Sequence, residues 1–212
     1  MKIKYFKKPV QHFIIEDWMP EDINKQILAD LDLLIPFMEV GVVGKDGKPV
    51  VVPEYKNNTN LWMFSFYRTH PEFGDLDKFI EMSIWTDQMK QEFKNTGDAL
   101  FQSAVYSHYS TMLLSKYEEG GLYQCHRDDA TTFTVNYMLA TEPLKFEGGD
   151  FVLGTWEEEV DAKVIPFKNN QVVIFPSRVN HRVTPVTNFT GEPKDARFTI
   201  QYWPRIRTTP KE

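Results

Sequence analysis

From residue 110 onward the chain reads STMLLSKY (110–117), LYQCHRD (122–128), TTFTVNYMLA (131–140), GDFVLGTW (149–156), KVIPF (163–167), QVVIFP (171–176), HRVTPV (181–186) and RFTIQYW (197–203). Each run is short, alternating or rich in β-branched and aromatic residues, and is bounded by turn residues. That is the pattern of a sandwich or barrel of antiparallel strands. Upstream the texture differs. VQHFIIEDW (10–18) reads as a strand entering a turn. A helix is expected over roughly 20–34: Ile23, Ile27, Leu28, Leu31 and Leu34 recur at helical spacing. Pro20 suits its first position, Glu21 and Asp22 its positive end, and Pro36 its stop. Residues 40–52 form two β-branched runs around Lys45-Asp46-Gly47, a hairpin signal. NLWMFSFYR (60–68) reads as a further strand. Leu76, Phe79, Ile80, Ile84, Met89 and Phe93 predict one second helix over about 75–95, with Gly97 just past its end. The expectation is an α+β chain forming a single domain over 1–212, with helical support and a hairpin over 1–97 and a β-rich core over 98–207.

Composition narrows the classes. Of 212 residues, 42% are hydrophobic and 25% charged, as in ordinary globular proteins, which excludes a disordered or collagen-like chain. The formal charge of −6 argues against wrapping duplex nucleic acid. A single cysteine, Cys125, excludes an intrachain disulfide and a multi-cysteine zinc site. The absence of a signal-like apolar run or a membrane-length stretch predicts a soluble, intracellular (cytoplasmic) protein with no membrane partner.

Three places carry candidate chemistry. In His126-Arg127-Asp128, residues i and i+2 of a strand share a face, so one nitrogen and one carboxylate aim at a common point. Alone, such a pair is no more than a polar strand edge. His181 follows the apolar run QVVIFP, where its strand can lie beside the first. Two histidines and one carboxylate form a facial set that suits Fe(II) and leaves positions open. Strand parity places Arg197, Thr199, Gln201 and Trp203 on one face of the last run, and Phe198, Ile200 and Tyr202 on the other. An inward guanidinium requires an anionic partner, either an acid of this chain or the carboxylate of a ligand.

Taken together, SKYEEGGLYQCHRDD (115–129), TVNYMLATEPLKFEGGDFVL (134–153), VVIFPSRVNHRVTPV (172–186) and ARFTIQYW (196–203) resemble the 2-oxoglutarate- and iron(II)-dependent dioxygenases, within them the prolyl 4-hydroxylase-like group. The order of elements matches: Tyr and Gly-Gly before His-x-Asp, a Tyr-bearing strand, Gly-Gly-Asp, Phe-Pro-Ser, then His-Arg-Val-x-Pro-Val and a final-strand Arg. The resemblance spans about residues 110–205 and implies a double-stranded β-helix, or jelly-roll.

It further implies that His126, Asp128 and His181 hold Fe(II) and are the catalytic centre. Arg197, with Thr199 beside it, would bind the distal carboxylate of 2-oxoglutarate. Tyr117 and Tyr137 fall where family tyrosines contact that cosubstrate. Tyr123 would line the substrate side and Trp203 would close the pocket. The implied reaction consumes dioxygen and 2-oxoglutarate, releases succinate and CO2, and hydroxylates an unactivated C–H bond; ascorbate is a further candidate cofactor. A carboxylate at Asp128 favours hydroxylation over halogenation. The implied substrate is a prolyl residue of a peptide or protein, gripped by the 40–52 hairpin and PEYKNNTN (53–60), with a small amino acid as the alternative. Nucleic-acid substrates fit worse, because Gln201, Tyr202 and Trp203 stand where those relatives carry a second Arg.

Some points stay open. NFTGEPKDA (188–196) makes the loop before Arg197 long, and if it displaced the strand, Arg205 or Arg182 would be the fallback anchor. Gly148 and Gly149 read as a tight bend, Cys125 as turned away from the ligands, and Lys2, Lys4, Lys7 and Lys8 as solvated ends. A non-catalytic or 2-oxoglutarate-independent, cupin-like metal-binding jelly-roll is the rival reading. Oligomeric state is not legible.

Overall fold

In the computed structural model, the described residues are 1–45, 47–107, 109–128, 131–154 and 162–205. Two antiparallel sheets form the jelly-roll. The larger has eight strands in the spatial order Lys2–Phe6, His12–Glu16, Gln171–Pro176, Phe133–Leu139, Arg197–Arg205, Tyr109–Tyr117, Thr59–Trp62, Glu39–Val40. The smaller has five: Lys163–Ile165, Phe151–Leu153, His181–Val183, Leu122–His126, Lys56–Asn57.

The large sheet is covered on both faces, and alternation within its strands sorts the residues. Val135, Ile174, Phe198, Ile200 and Tyr202 join the helices and the N-terminal strands in one core. Met138, Val173 and Phe175 point the other way and meet Phe151, Leu153, Ile165 and Val183 of the small sheet in a second core. This double burial makes Phe133–Leu139 buried at every position, as expected for a strand packed on both sides.

The first helix runs Glu21–Leu34 and passes into a 3-10 turn containing Pro36. The hairpin pairs Val43–Lys45 with Lys48–Val50; its expected turn residue Asp46 lies outside the described residues. Elsewhere the structure corrects the sequence reading. The run at 60–68 is a strand only over Thr59–Trp62 and continues as the helix Met63–Thr69. Met63, Phe66 and Tyr67 are its buried face, an i, i+3, i+4 set within a run whose aromatic content reads as strand.

The single helix expected over 75–95 is two, Leu76–Ile84 and Asp87–Asn95. Thr86 starts the second by accepting the Met89 N–H at 3.3 Å, and the Trp85 indole N–H is pulled to the Tyr202 hydroxyl at 2.7 Å. A further short helix spans Ala99–Ala104. Lys2, Lys4, Lys7 and Lys8 are all exposed, as expected, and the first two lie in an ordered segment: Lys2–Phe6 pairs with His12–Glu16 as the outermost strand.

The long loop before Arg197 leaves the last strand in place. Val186–Thr187 pairs with Glu147–Gly148, a 3-10 turn spans Pro193–Asp195, and Thr141 donates to Asp195 at 2.8 Å. Arg197 then opens its strand directly opposite Tyr117.

Candidate metal centre

His126 ends one strand of the small sheet and His181 begins its neighbour, and the two are direct cross-strand partners with ring centroids 4.2 Å apart. Each ring is oriented by its own backbone two residues upstream: Nδ1 of His126 donates to Gln124 O at 2.8 Å, and Nδ1 of His181 to Val179 O at 2.9 Å. Those bonds fix the Nδ1–H tautomer and turn both Nε2 lone pairs toward Asp128. The Nε2 atoms lie 4.0 Å (His126) and 3.7 Å (His181) from the Asp128 carboxylate, and the three side chains present ligand atoms all within 4.8 Å of one another. Burial lowers the pKa of both histidines, for His126 reinforced by the neighbouring His181, so both rings are neutral and able to donate a lone pair near neutral pH.

Asp128 is anchored from three directions. Its N–H donates to Ser177 O at 2.9 Å. Its Oδ2 accepts from Thr134 Oγ1 at 2.7 Å and from Trp203 Nε1 at 2.8 Å. Thr134 in turn shares a 3.0 Å hydrogen bond with Ser177 Oγ. Thr134 was absent from the sequence-derived set although parity carried the signal, since it shares a strand face with Asn136 and both border the cavity. Trp203, expected as a lid, borders the cavity and also holds the carboxylate.

The metal-binding set opens onto a cavity of about 250 Å³ whose walls include Lys56, Tyr117, Tyr123, Phe175 and Trp203. Tyr123 stacks on His126 with centroids 3.5 Å apart. Cys125 is absent from the cavity wall, as alternation predicts.

Arg197 is fully buried beyond Tyr117 and does not itself border the cavity. Its guanidinium lies 4.8 Å above the Tyr117 ring and 5.2 Å from that of Phe167. Nε donates to Gly149 O at 2.6 Å, while Nη1 and Nη2 have no hydrogen-bond partner among the described residues. Burial lowers its pKa to about 10, which leaves it charged at neutral pH. A buried guanidinium with two orphaned nitrogens fits a bidentate carboxylate.

The Gly-Gly-Asp bend makes this possible. Gly149 has φ +67°, and a Cβ there would sit 2.6 Å from Arg197 Cδ. Thr199 is buried on the same face, its hydroxyl accepting from Gln201 Nε2.

Tyr137 is a correction. It lies on the helix-side face of its strand, its ring against Trp18 and its hydroxyl donating to Asn24 Oδ1 at 2.7 Å. Strand parity turns it away from the cavity: Phe133, Val135 and Tyr137 alternate with Thr134 and Asn136, which border it. Of the fallback anchors, the Arg205 side chain lies outside the described residues, and Arg182 alternates away from His181 and Val183, which border the cavity.

The fold is a jelly-roll, and the site brings together two histidines and one carboxylate that could hold a metal ion. Residues 112–205 match the model of the 2OG-Fe(II) oxygenase superfamily. A PKHD-type hydroxylase of Gloeothece citriformis is 35% identical over 104 residues, covering 44% of this chain and 44% of the relative. One of Aliarcobacter butzleri is 28% identical over 104 residues, covering 44% and 45%. The matched region thus spans less than half of the length of these relatives.

Among solved structures, a prolyl hydroxylase of Trichoplax adhaerens, in complex with a hypoxia inducible factor oxygen degradation domain peptide fragment, superposes with TM-score 0.66 at 17% identity, covering 92% of this chain and 83% of that one. A Pseudomonas putida prolyl-4-hydroxylase gives TM-score 0.56 at 14% identity, covering 92% of each chain. At those identities the likeness is one of fold. Residues 112–205 are thus similar to the 2OG-Fe(II) oxygenase superfamily, and the fold is similar to that of the prolyl hydroxylases. Among the described residues no helix is long and apolar enough to cross a membrane.

Proposed function

We propose that this protein is a 2-oxoglutarate- and Fe(II)-dependent hydroxylase acting on a prolyl residue of a peptide or protein, and that residues 1–212 work as one unit. The observation that carries the reading is Arg197: a fully buried guanidinium with two nitrogens that have no hydrogen-bond partner among the described residues, packed on Tyr117, which borders the same cavity as the three convergent donors. A metal-binding module without a carboxylate cosubstrate would leave those nitrogens unpaired in the folded protein, at a cost of several kcal/mol.

His126, Asp128 and His181 would hold Fe(II) on one side, through two neutral imidazoles and one carboxylate. Bound there with 2-oxoglutarate, the metal supplies the oxidising chemistry in which dioxygen places one oxygen in succinate and one in the substrate hydroxyl, with release of CO2. The chain's own groups set the geometry. Asp128 is locked by Thr134 and Trp203, Arg197 receives the distal carboxylate with Tyr117 turned aside or stacked against it, and Phe175 and Trp203 keep the cavity apolar around the reacting bond. The small amino acid remains the second substrate class, favoured by the modest cavity.

The test is aerobic turnover with Fe(II), 2-oxoglutarate and a library of peptides carrying internal and C-terminal prolines. The expected result is succinate formed one-to-one with a product heavier by one oxygen derived from isotopically labelled dioxygen. Turnover stimulated by non-prolyl compounds alone overturns the prolyl assignment, and binding of metal and 2-oxoglutarate without any decarboxylation overturns the hydroxylase.

A further inference from the structure

The N-terminal half sends one cation into the cavity. Lys56 sits in a two-residue edge strand paired with Tyr123 and is only 8% exposed. Among the described residues it is the sole lysine or arginine bordering the cavity. Its sequence position lies outside the region matched by the superfamily model. Its ammonium faces neutral groups. Val42 O is 3.4 Å away, the Tyr123 ring centroid 4.8 Å, and the Asn60 amide oxygen, in its hydrogen-bonded orientation, 3.3 Å. No carboxylate of the described residues lies within ion-pairing distance.

Both contacts to oxygen are long for an ammonium, whose charge-assisted hydrogen bonds are normally about 2.7–2.9 Å. Burial accordingly lowers the Lys56 pKa, an effect that Asp128 partly opposes. A buried ammonium so weakly met is costly unless a ligand completes it.

The charges of the proposed site identify what that ligand brings. A divalent metal with Asp128 leaves one positive charge, and Arg197 makes two; the two carboxylates of 2-oxoglutarate cancel these. Lys56 then remains as one uncompensated positive charge in a cavity of about 250 Å³, room for a single small residue.

We propose that Lys56 recognises a carboxylate carried by the substrate, so that the residue hydroxylated is a free amino acid or the C-terminal residue of a peptide. The inference rests on the hydroxylase reading and narrows its substrate class. A residue inside a peptide chain has no α-carboxylate to offer and would leave the Lys56 charge unmatched.

The experiment loads the protein anaerobically with Mn(II), a redox-quiet stand-in, and 2-oxoglutarate. It then measures calorimetric binding of the free and N-acetylated amino acids, proline included, against the corresponding primary amides. Wild type, Lys56→Met and Lys56→Arg are compared, with thermal unfolding as the folding control. At least one acid should bind about ten- to a hundredfold more tightly than its amide. Lys56→Met should erase that preference, Lys56→Arg should retain part of it, and 2-oxoglutarate affinity should stay within about twofold.

Amides binding as well as acids, or no acid binding at all to the loaded protein, overturns the proposal. A loss of 2-oxoglutarate affinity in Lys56→Met also overturns it, by assigning the carboxylate to the cosubstrate. Failure of wild type to bind 2-oxoglutarate with Mn(II) overturns the hydroxylase reading instead, so the two failures are separable.

Discussion

Trp203 donates its indole N–H to Asp128 Oδ2 at 2.8 Å, tying the far end of the strand that begins with Arg197 to the carboxylate of the metal centre. One strand therefore carries both Arg197, the proposed anion anchor, and the indole that holds Asp128, a proposed metal ligand. Thr134 Oγ1 at 2.7 Å and the indole both donate to Oδ2, and among the described residues Oδ1 accepts no hydrogen bond and so is free to ligate. Removing the donor while keeping an aromatic wall, as in Trp203→Phe, is expected to weaken Fe(II) or Mn(II) affinity about tenfold, and Thr134→Val to do the same. Competition against a chelating dye measures this. Unchanged affinity in both variants would show that the bonds do not orient the ligand.

Gly149 brings the bend of the Gly-Gly-Asp motif against the anchor. At φ +67°, with a substituent carbon 2.6 Å from Arg197 Cδ and 2.9 Å from Nε, Gly149→Ala carries a backbone cost of about 1–2 kcal/mol besides the contact. The variant should unfold at lower denaturant concentration and require more 2-oxoglutarate for half-saturation. A variant that loses stability but binds 2-oxoglutarate as wild type does would separate the bend from the anchor.

Acid should destabilise the metal-free protein through its buried histidines. His12, His126 and His181 have folded-state pKa values held below the usual imidazole value, by burial first in each case. The unfolded chain therefore binds protons that the folded one refuses. Stability is present above the unfolded value near 6.5 and is lost as pH falls below it, with a limiting slope of about 1.4 kcal/mol per pH unit for each such histidine. Urea unfolding at pH 7.5, 6 and 5 should show a falling midpoint, and saturating Mn(II) should raise it at pH 7.5. A midpoint flat from pH 7.5 to 5 would contradict the burial account.

The jelly-roll half was legible because its strands alternate and because its metal donors recur in a fixed order; His126, Asp128 and His181 converge where the resemblance implies. Parity also sorted Arg197, Thr199, Gln201 and Trp203 from Phe198, Ile200 and Tyr202, the latter three packing in the helix-side core. Tyr137 was placed at the cosubstrate by the resemblance alone, whereas the alternation of Thr134 and Asn136 with Val135 and Tyr137 turns it to the helix side. The helix break at Trp85–Thr86 was hidden because apolar spacing continues through it, although Thr86 caps the second helix and the Trp85 indole reaches the distant Tyr202 hydroxyl. Lys56 was legible only as part of PEYKNNTN (53–60), the segment expected to grip the substrate; its own place on the cavity wall was not, because the pairing of Lys56 with Tyr123, across 66 intervening positions, has no signature in either segment alone.

The central claim is that His126, Asp128 and His181 hold a metal to which 2-oxoglutarate binds with Arg197 as its anchor. Anaerobic titration of the metal-free protein with Fe(II) and 2-oxoglutarate, followed through the visible metal-to-ligand charge-transfer absorption, tests it most directly. The account predicts a saturable band, absent in His126→Ala and reached in Arg197→Met only at about ten- to a hundredfold more 2-oxoglutarate. Protein that binds Fe(II) yet develops no band at any 2-oxoglutarate concentration would contradict it.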